Sequence, residues 1–207
     1  METLDKSIYR GVVVAFKANY LIVDTFEKIN TSNVLKIEKV RLLCQARGKL
    51  NYIGEQVCVG DNVLLNSIDW KSKRGIIVNI EKRFSFLDRP SIANFTDIFV
   101  VASFEQPTLD YEQLSRFLIV AENTKQRVNL ILTKYDLIKP SSLNFYKNRF
   151  LEWGYEIIPV SIKSGFGFDQ FNEKLETVKL GVFCGPSGVG KTSLFNYLLP
   201  NSSLKVG

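Results

Sequence analysis

The sequence predicts two parts of different class: a small all-β barrel over residues 1–83, followed by an α/β domain over residues 84–207. Short β-branched runs separated by turn signals fill the first part. Apolar strand-like and helix-like segments alternate in the second. A glycine-rich loop there stands between a buried strand and a helix.

The first part contains five such runs. Ile8–Phe16 is rich in valine, and a turn at Lys17-Ala18-Asn19 leads into Tyr20–Val23. Arg41–Ala46 is closed by Arg47-Gly48-Lys49, Gly60-Asp61-Asn62 introduces Val63–Leu65, and Lys73-Arg74-Gly75 turns into Ile76–Ile80. Five strands that must bury one face and leave no open edge suggest a closed barrel, for which the OB-fold is the five-stranded solution.

The pattern changes at Phe84–Pro90, where Pro90 forces extended or turn backbone and suggests a linker. Beyond it, Asp97–Ser103, Val128–Leu132, Glu156–Val160 and Leu180–Cys184 read as buried strands. Leu109–Asn123, with apolar residues at Leu114, Phe117, Leu118 and Ala121, has helical spacing. Further helices are expected over Phe145–Trp153, Phe168–Thr177 and Thr192–Leu199. The alternation implies a mostly parallel sheet.

Composition narrows the chemistry. The 207 residues include no histidine and three cysteines, Cys44, Cys58 and Cys184, which lie far apart. Ser-His-Asp and Cys-His catalysis are excluded, as is a Cys/His zinc site within the chain, and an odd set of scattered cysteines argues against a disulfide framework. No apolar run approaches the roughly 20 residues of a membrane span. The polar start Met1–Lys6 does not read as a secretion signal. A cytoplasmic monomer without membrane contact is expected. The net charge of +6 suits an anionic partner such as nucleic acid.

Three motifs carry chemistry. The first is Gly185-Pro186-Ser187-Gly188-Val189-Gly190-Lys191-Thr192, followed by Ser193: a glycine, four residues, then Gly-Lys-Thr. Glycines let the backbone curl its N–H groups around phosphate, and the helix that follows adds a partial positive charge. Lys191 would neutralise the β and γ phosphates, and the Thr192 hydroxyl would ligate Mg²⁺, which makes these two the catalytic candidates. The second motif, Thr133-Lys134-Tyr135-Asp136, resembles the Asn-Lys-x-Asp sequence that reads guanine. One carboxylate accepts both N1–H and the 2-amino group of that base, a donor pair adenine lacks. The Lys134 stem can lie along the base plane. Thr133 departs from the usual Asn, so the polar tie between this loop and the phosphate loop is expected to change. The third motif, Ser161-Ile162-Lys163, resembles the Ser-Ala-Lys sequence whose backbone meets the guanine carbonyl oxygen. In an ordinary GTPase the phosphate loop comes first. Here it comes last, the mark of a circularly permuted P-loop GTPase domain.

On these motifs, and on Gly11-Val12-Val13, Arg47-Gly48-Lys49, Val59-Gly60-Asp61, Leu87-Asp88-Arg89-Pro90, Ala93-Asn94 and Ala121-Glu122, the chain resembles the RsgA (YjeQ) family of circularly permuted GTPases. The resemblance implies an N-terminal OB-fold and a GTPase domain that binds GTP and GDP with Mg²⁺. It further implies hydrolysis stimulated by the ribosome, with the small ribosomal subunit and its rRNA as partners. It also implies a switch threonine, an Asp-x-x-Gly motif and a C-terminal zinc domain. No Asp-x-x-Gly and no zinc ligands follow Thr192. The expectation is therefore an incomplete GTPase domain in a fragment or truncated form.

Two other readings stay open: a non-hydrolysing guanine-nucleotide or RNA-binding module, and a P-loop ATPase or kinase in which Asp136 is incidental. The basic residues Arg41, Arg47, Lys49, Lys71, Lys73, Arg74, Lys82 and Arg83 lie in or beside barrel loops, where they would grip RNA phosphates or form a solvated face.

Overall fold

A computed structural model describes residues 7–31, 34–47 and 56–199. The chain divides into two compact units, Met1–Asn94 and Phe95–Gly207.

The first unit is a closed barrel of β1 (Tyr9–Lys17), β2 (Tyr20–Thr31), β3 (Val34–Ala46), β4 (Asn62–Asp69) and β5 (Arg74–Ile80). Its strand order is β1-β2-β3-β5-β4, with β4 pairing back onto β1. All pairings are antiparallel except β3 with β5, which closes the barrel. Val13, Val23, Leu42, Cys44, Val63, Leu65, Ile68 and Ile77 fill the interior. The five expected strands and their closure are observed. Strands β2 and β3 run further than the expected Tyr20–Val23 and Arg41–Ala46. Their paired rows continue out to Thr31 opposite Val34. In that extension Phe26, Lys28, Lys36, Ile37 and Lys39 are exposed, so the one-sided apolar alternation that reveals a strand is missing.

The segment expected to be a linker belongs to the barrel unit instead, which moves the division from residue 83 to residue 94. β6 (Phe86–Leu87) and β7 (Ile92–Ala93) form a short hairpin. The Ala93 N–H donates to Val59 O, and the Asn94 side chain donates to Gly60 O at 2.9 Å. Arg83 grips the fully buried Asp61 carboxylate with Nε at 2.7 Å and Nη2 at 2.8 Å, and also donates to Gln56 O. Arg83 is thus committed to an internal ion pair rather than offered to RNA. Lys49 and Gly48 lie outside the described residues.

The second unit is a four-stranded sheet, entirely parallel in pairing. Its elements are β8 (Asp97–Ser103), α1 (Tyr111–Asn123), β9 (Arg127–Thr133), α2 (Leu143–Glu152), β10 (Ile157–Pro159), α3 (Phe168–Glu176), β11 (Gly181–Cys184) and α4 (Lys191–Leu198). Every residue of β8 is buried, as a central strand covered on both faces requires. Asp110 starts α1 by accepting the Gln113 N–H at 2.9 Å, and that helix buries Leu114, Leu118 and Ala121. Beside β8, a core of Phe99, Val101, Ile131, Ile158, Phe171 and Leu194 fastens α3 and α4 to the sheet. The order is β10-β9-β8-β11. Successive strands are added on one side of β8, and the chain then crosses to its other side for β11. That reversal makes a topological switch point between β8 and β11, and open α/β sheets hold their ligands beyond the carboxyl ends of the strands at such a point.

Candidate nucleotide-binding site

Because the strands are parallel, the loops after β8, β9, β10 and β11 all emerge at one edge of the sheet. The phosphate loop follows β11 and opens α4. Gly185, Gly188 and Gly190 take φ of +139°, +76° and +94°, a region L side chains avoid. At Gly185 a Cβ would also lie 2.0 Å from Val101 O, so the loop can leave the sheet this close to β8 only with glycine.

Lys191 folds back over this loop. Its ammonium donates to Gly185 O at 2.9 Å and to Pro186 O, and among the described residues no carboxylate pairs with it. Burial pulls its pKa below the ordinary lysine value. Neighbouring Cys184 is pushed up to about 11 by burial, so it remains a neutral thiol at neutral pH. A half-buried cation held only by carbonyl oxygens, beside a helix N-terminus, is a site for an anion. The half-buried Thr192 hydroxyl has no hydrogen-bond partner among the described residues. Ser187 and Ser193 also lie on this loop and its helix.

The other two motifs lie on the loops after β9 and β10. Thr133, at the end of β9, is buried. Its Oγ1 lies 2.5 Å from Val189 O in the phosphate loop and 3.2 Å from Ala102 O in β8. Thr133 therefore keeps a polar tie between the two loops, because its hydroxyl reaches the carbonyl directly. Lys134 adopts φ of +60°, and its ammonium donates to Gly188 O at 2.9 Å and to Gln106 O. A 3₁₀ turn, Tyr135–Leu137, carries Asp136 out to the surface. The Ser161 hydroxyl, fully buried, donates to Asp136 Oδ1 at 2.5 Å and accepts the Ser164 N–H. This leaves Asp136 Oδ2 without a protein partner among the described residues. Ile162 and Lys163 are exposed on the same turn.

All three motifs thus meet at one edge of the sheet, although they are spread from Thr133 to Ser193 in sequence. Sequence reasoning passed over Gln106, whose carbonyl accepts from Lys134, and Phe166, whose ring stacks on Tyr135 at 4.1 Å. Gln106 lies in no recognisable motif. Phe166 gave a weak signal, an aromatic residue between two glycines, three positions after Lys163.

A P-loop at the switch point of a parallel sheet, with a carboxylate-bearing loop tied to it, defines a P-loop nucleotide-binding protein. The order of its motifs is that of the circularly permuted GTPases. Residues 80–207 match the family model described as RsgA GTPase. Two proteins named small ribosomal subunit biogenesis GTPase RsgA, from two strains of Prochlorococcus marinus, are similar. One is 44% identical over 212 residues, covering 100% of this chain and 68% of that protein. The other is 48% identical over 197 residues, covering 94% of this chain and 63% of that protein. Among solved structures, YjeQ from Thermotoga maritima superposes with a TM-score of 0.77 at 27% identity, covering 97% of this chain and 68% of that one. YloQ, described as a circularly permuted GTPase, superposes with a TM-score of 0.69 at 26% identity, covering 94% and 66%. The chain belongs to the RsgA GTPase family, and it spans about two thirds of the length of these relatives.

The Thr133 hydroxyl is expected to contribute to the coupling of the two loops. Thr133→Val keeps the shape but leaves Val189 O without its donor. Loss of about 1–3 kcal/mol in unfolding free energy is expected from an unsatisfied buried acceptor, measured by urea denaturation. An unchanged midpoint and slope would show that the tie carries no energy.

Proposed function

We propose that this protein binds guanine nucleotides at the strand-end site and hydrolyses GTP during maturation of the small ribosomal subunit. One observation carries the reading: a carboxylate oriented by Ser161 stands on a loop that is hydrogen-bonded, through Thr133, to a complete phosphate loop. Base and phosphate recognition are thereby held at a fixed separation. The relatives' name supplies the biological setting.

In this reading the loop N–H groups and Lys191 bind the phosphates, and Lys191 exchanges the carbonyls of Gly185 and Pro186 for phosphate oxygens. Asp136 accepts from the guanine N1–H and 2-amino group, while the backbone of Ser161 to Lys163 borders the base. Mg²⁺, when bound, neutralises charge on the β and γ phosphates, and Thr192 is the residue here that would hold it. No residue among those described is assigned to position the attacking water. A zinc ion has no evident place in the described part, where no group of three or more cysteine or acidic side chains could hold a metal.

The barrel is the proposed rRNA contact. Fifteen of the 27 basic residues but only ten of the 21 acidic ones lie in residues 1–94, so this unit carries +5 of the net +6. Arg41, 66% exposed at its side chain although paired with Asp24, remains at the surface, as does Arg74. Among the described residues no helix is long and apolar enough to cross a membrane. The reading carries with it a cytoplasmic location and a monomeric protein.

Asp136→Asn tests the base reading. It is expected to weaken GDP binding by about 1.5–3 kcal/mol, the worth of hydrogen bonds to a charged acceptor. The variant should gain affinity for xanthosine diphosphate, whose 2-carbonyl suits an amide donor. Unchanged GDP affinity by calorimetry would remove Asp136 from the site. For the barrel, affinity for small-subunit rRNA is expected to fall steeply with salt, because phosphate contacts release counterions. Binding that is absent at low salt, or indifferent to salt, would leave the barrel's charge as a solvated face.

A further inference from the structure

Tyr135 stands at the variable position of the second motif with no task of its own, and Phe166 lies outside all three motifs. Their rings stack with centroids 4.1 Å apart and planes 23° from parallel. Tyr135 precedes Asp136 in the loop after β9, and Phe166 closes the turn after β10. Tyr135 also meets Phe104, a fully buried ring just beyond β8, edge-on at 6.3 Å. Phe166 is 41% exposed, so its stacking is not simply the interior of a core.

The backbone and polar contacts close a circuit around this stack. Phe166 O accepts the Ser161 N–H at 3.0 Å, and the Tyr135 N–H donates to Val160 O at 3.2 Å. Ser161 donates its hydroxyl to Asp136 Oδ1, and Asp136 follows Tyr135 directly. The circuit therefore runs from Tyr135 through the ring stack to Phe166, on to Ser161 by the backbone, across to Asp136 by the hydroxyl, and back. Each loop is exposed on its outer side. The stack and the Ser161–Asp136 hydrogen bond thus join the same two loops.

We infer that Tyr135 and Phe166 are positioning residues for base recognition, holding the Asp136 and Ser161 loops at the spacing that lets the carboxylate take both donors of guanine. The inference rests on the base reading proposed above. Neither ring needs to touch the nucleotide. Their effect is on the aim of Asp136, and it falls on whichever contact is most demanding of direction, the second hydrogen bond to the 2-amino group.

Inosine diphosphate isolates that contact, because hypoxanthine keeps N1–H and lacks the 2-amino group. The experiment measures the dissociation constants of GDP and inosine diphosphate for the whole protein by calorimetry, and takes their ratio. Tyr135→Ala and Phe166→Ala are each expected to reduce the preference for GDP at least about threefold, within the range an aromatic pair contributes. The double variant should be no worse than either single one, as expected of two residues acting through one contact. Tyr135→Phe, which keeps the ring, should retain the wild-type ratio. Tyr135→Leu, which keeps apolar bulk without the ring, should behave as the alanine variant and serves if that variant fails to fold. A purely structural role would weaken both nucleotides equally, so an unchanged ratio in Tyr135→Ala or Tyr135→Leu overturns the inference. Loss of the ratio in Tyr135→Phe overturns it too. If the wild type itself binds GDP and inosine diphosphate alike, the Asp136 reading fails first and takes this inference with it.

Discussion

The site depends on one short hydrogen bond, from the Thr133 hydroxyl to Val189 O. It joins two loops that lie 56 residues apart in sequence, and it is buried. The hydroxyl also lies against Ala102 O of the central strand, so three neighbouring strand ends are indexed to a single buried oxygen. Lys134 adds a second tie to the same loop through Gly188 O. Base and phosphates of a nucleotide sit at a separation fixed by its ribose and its glycosidic bond. A protein that recognises both ends must hold its two recognition loops at that separation before binding, or spend affinity on arranging them.

Rotating the order of motifs still brings them to one edge of the sheet. The sheet order β10-β9-β8-β11 places the phosphate loop at the end of the strand beside β8, whichever end of the chain that strand occupies. What the ligand meets is set by neighbouring strands and by their common direction, not by which segment is made first. Gly185 marks the tightest point: β11 and β8 approach so closely that Val101 O occupies the space of a side chain.

Much of this was legible in the sequence, for physical reasons that also explain the misses. Asp97–Ser103 is apolar along almost its full length because both faces are covered, and its limits in the structure are those expected from the sequence. The phosphate loop was legible because its function demands glycine, lysine and a hydroxyl at fixed spacing. The extension of β2 and β3 was not, since Phe26, Lys28, Lys36, Ile37 and Lys39 are exposed there and the sequence shows no one-sided apolar period. The hairpin at 86–93 was hidden because Pro90 suggests a break, and the segment is held by contacts to Val59 and Gly60 far away in sequence. Arg83 illustrates the same limit: a basic residue in a basic stretch gives no sign that it is paired with a buried aspartate. The Tyr135–Phe166 stack was invisible because it joins two loops whose proximity only the sheet creates.

The central claim is that a guanine reader and a phosphate loop form one site, and the most direct test is a parallel titration of the protein with GDP and ADP. Both nucleotides offer the same phosphates to Lys191 and the loop, and they differ only at the base. The account predicts saturable binding of one GDP per chain and ADP binding weaker by at least about tenfold, the equivalent of about 1.4 kcal/mol. Equal affinity for the two would contradict it, leaving the phosphate loop in place and Asp136 with no part in choosing the nucleotide.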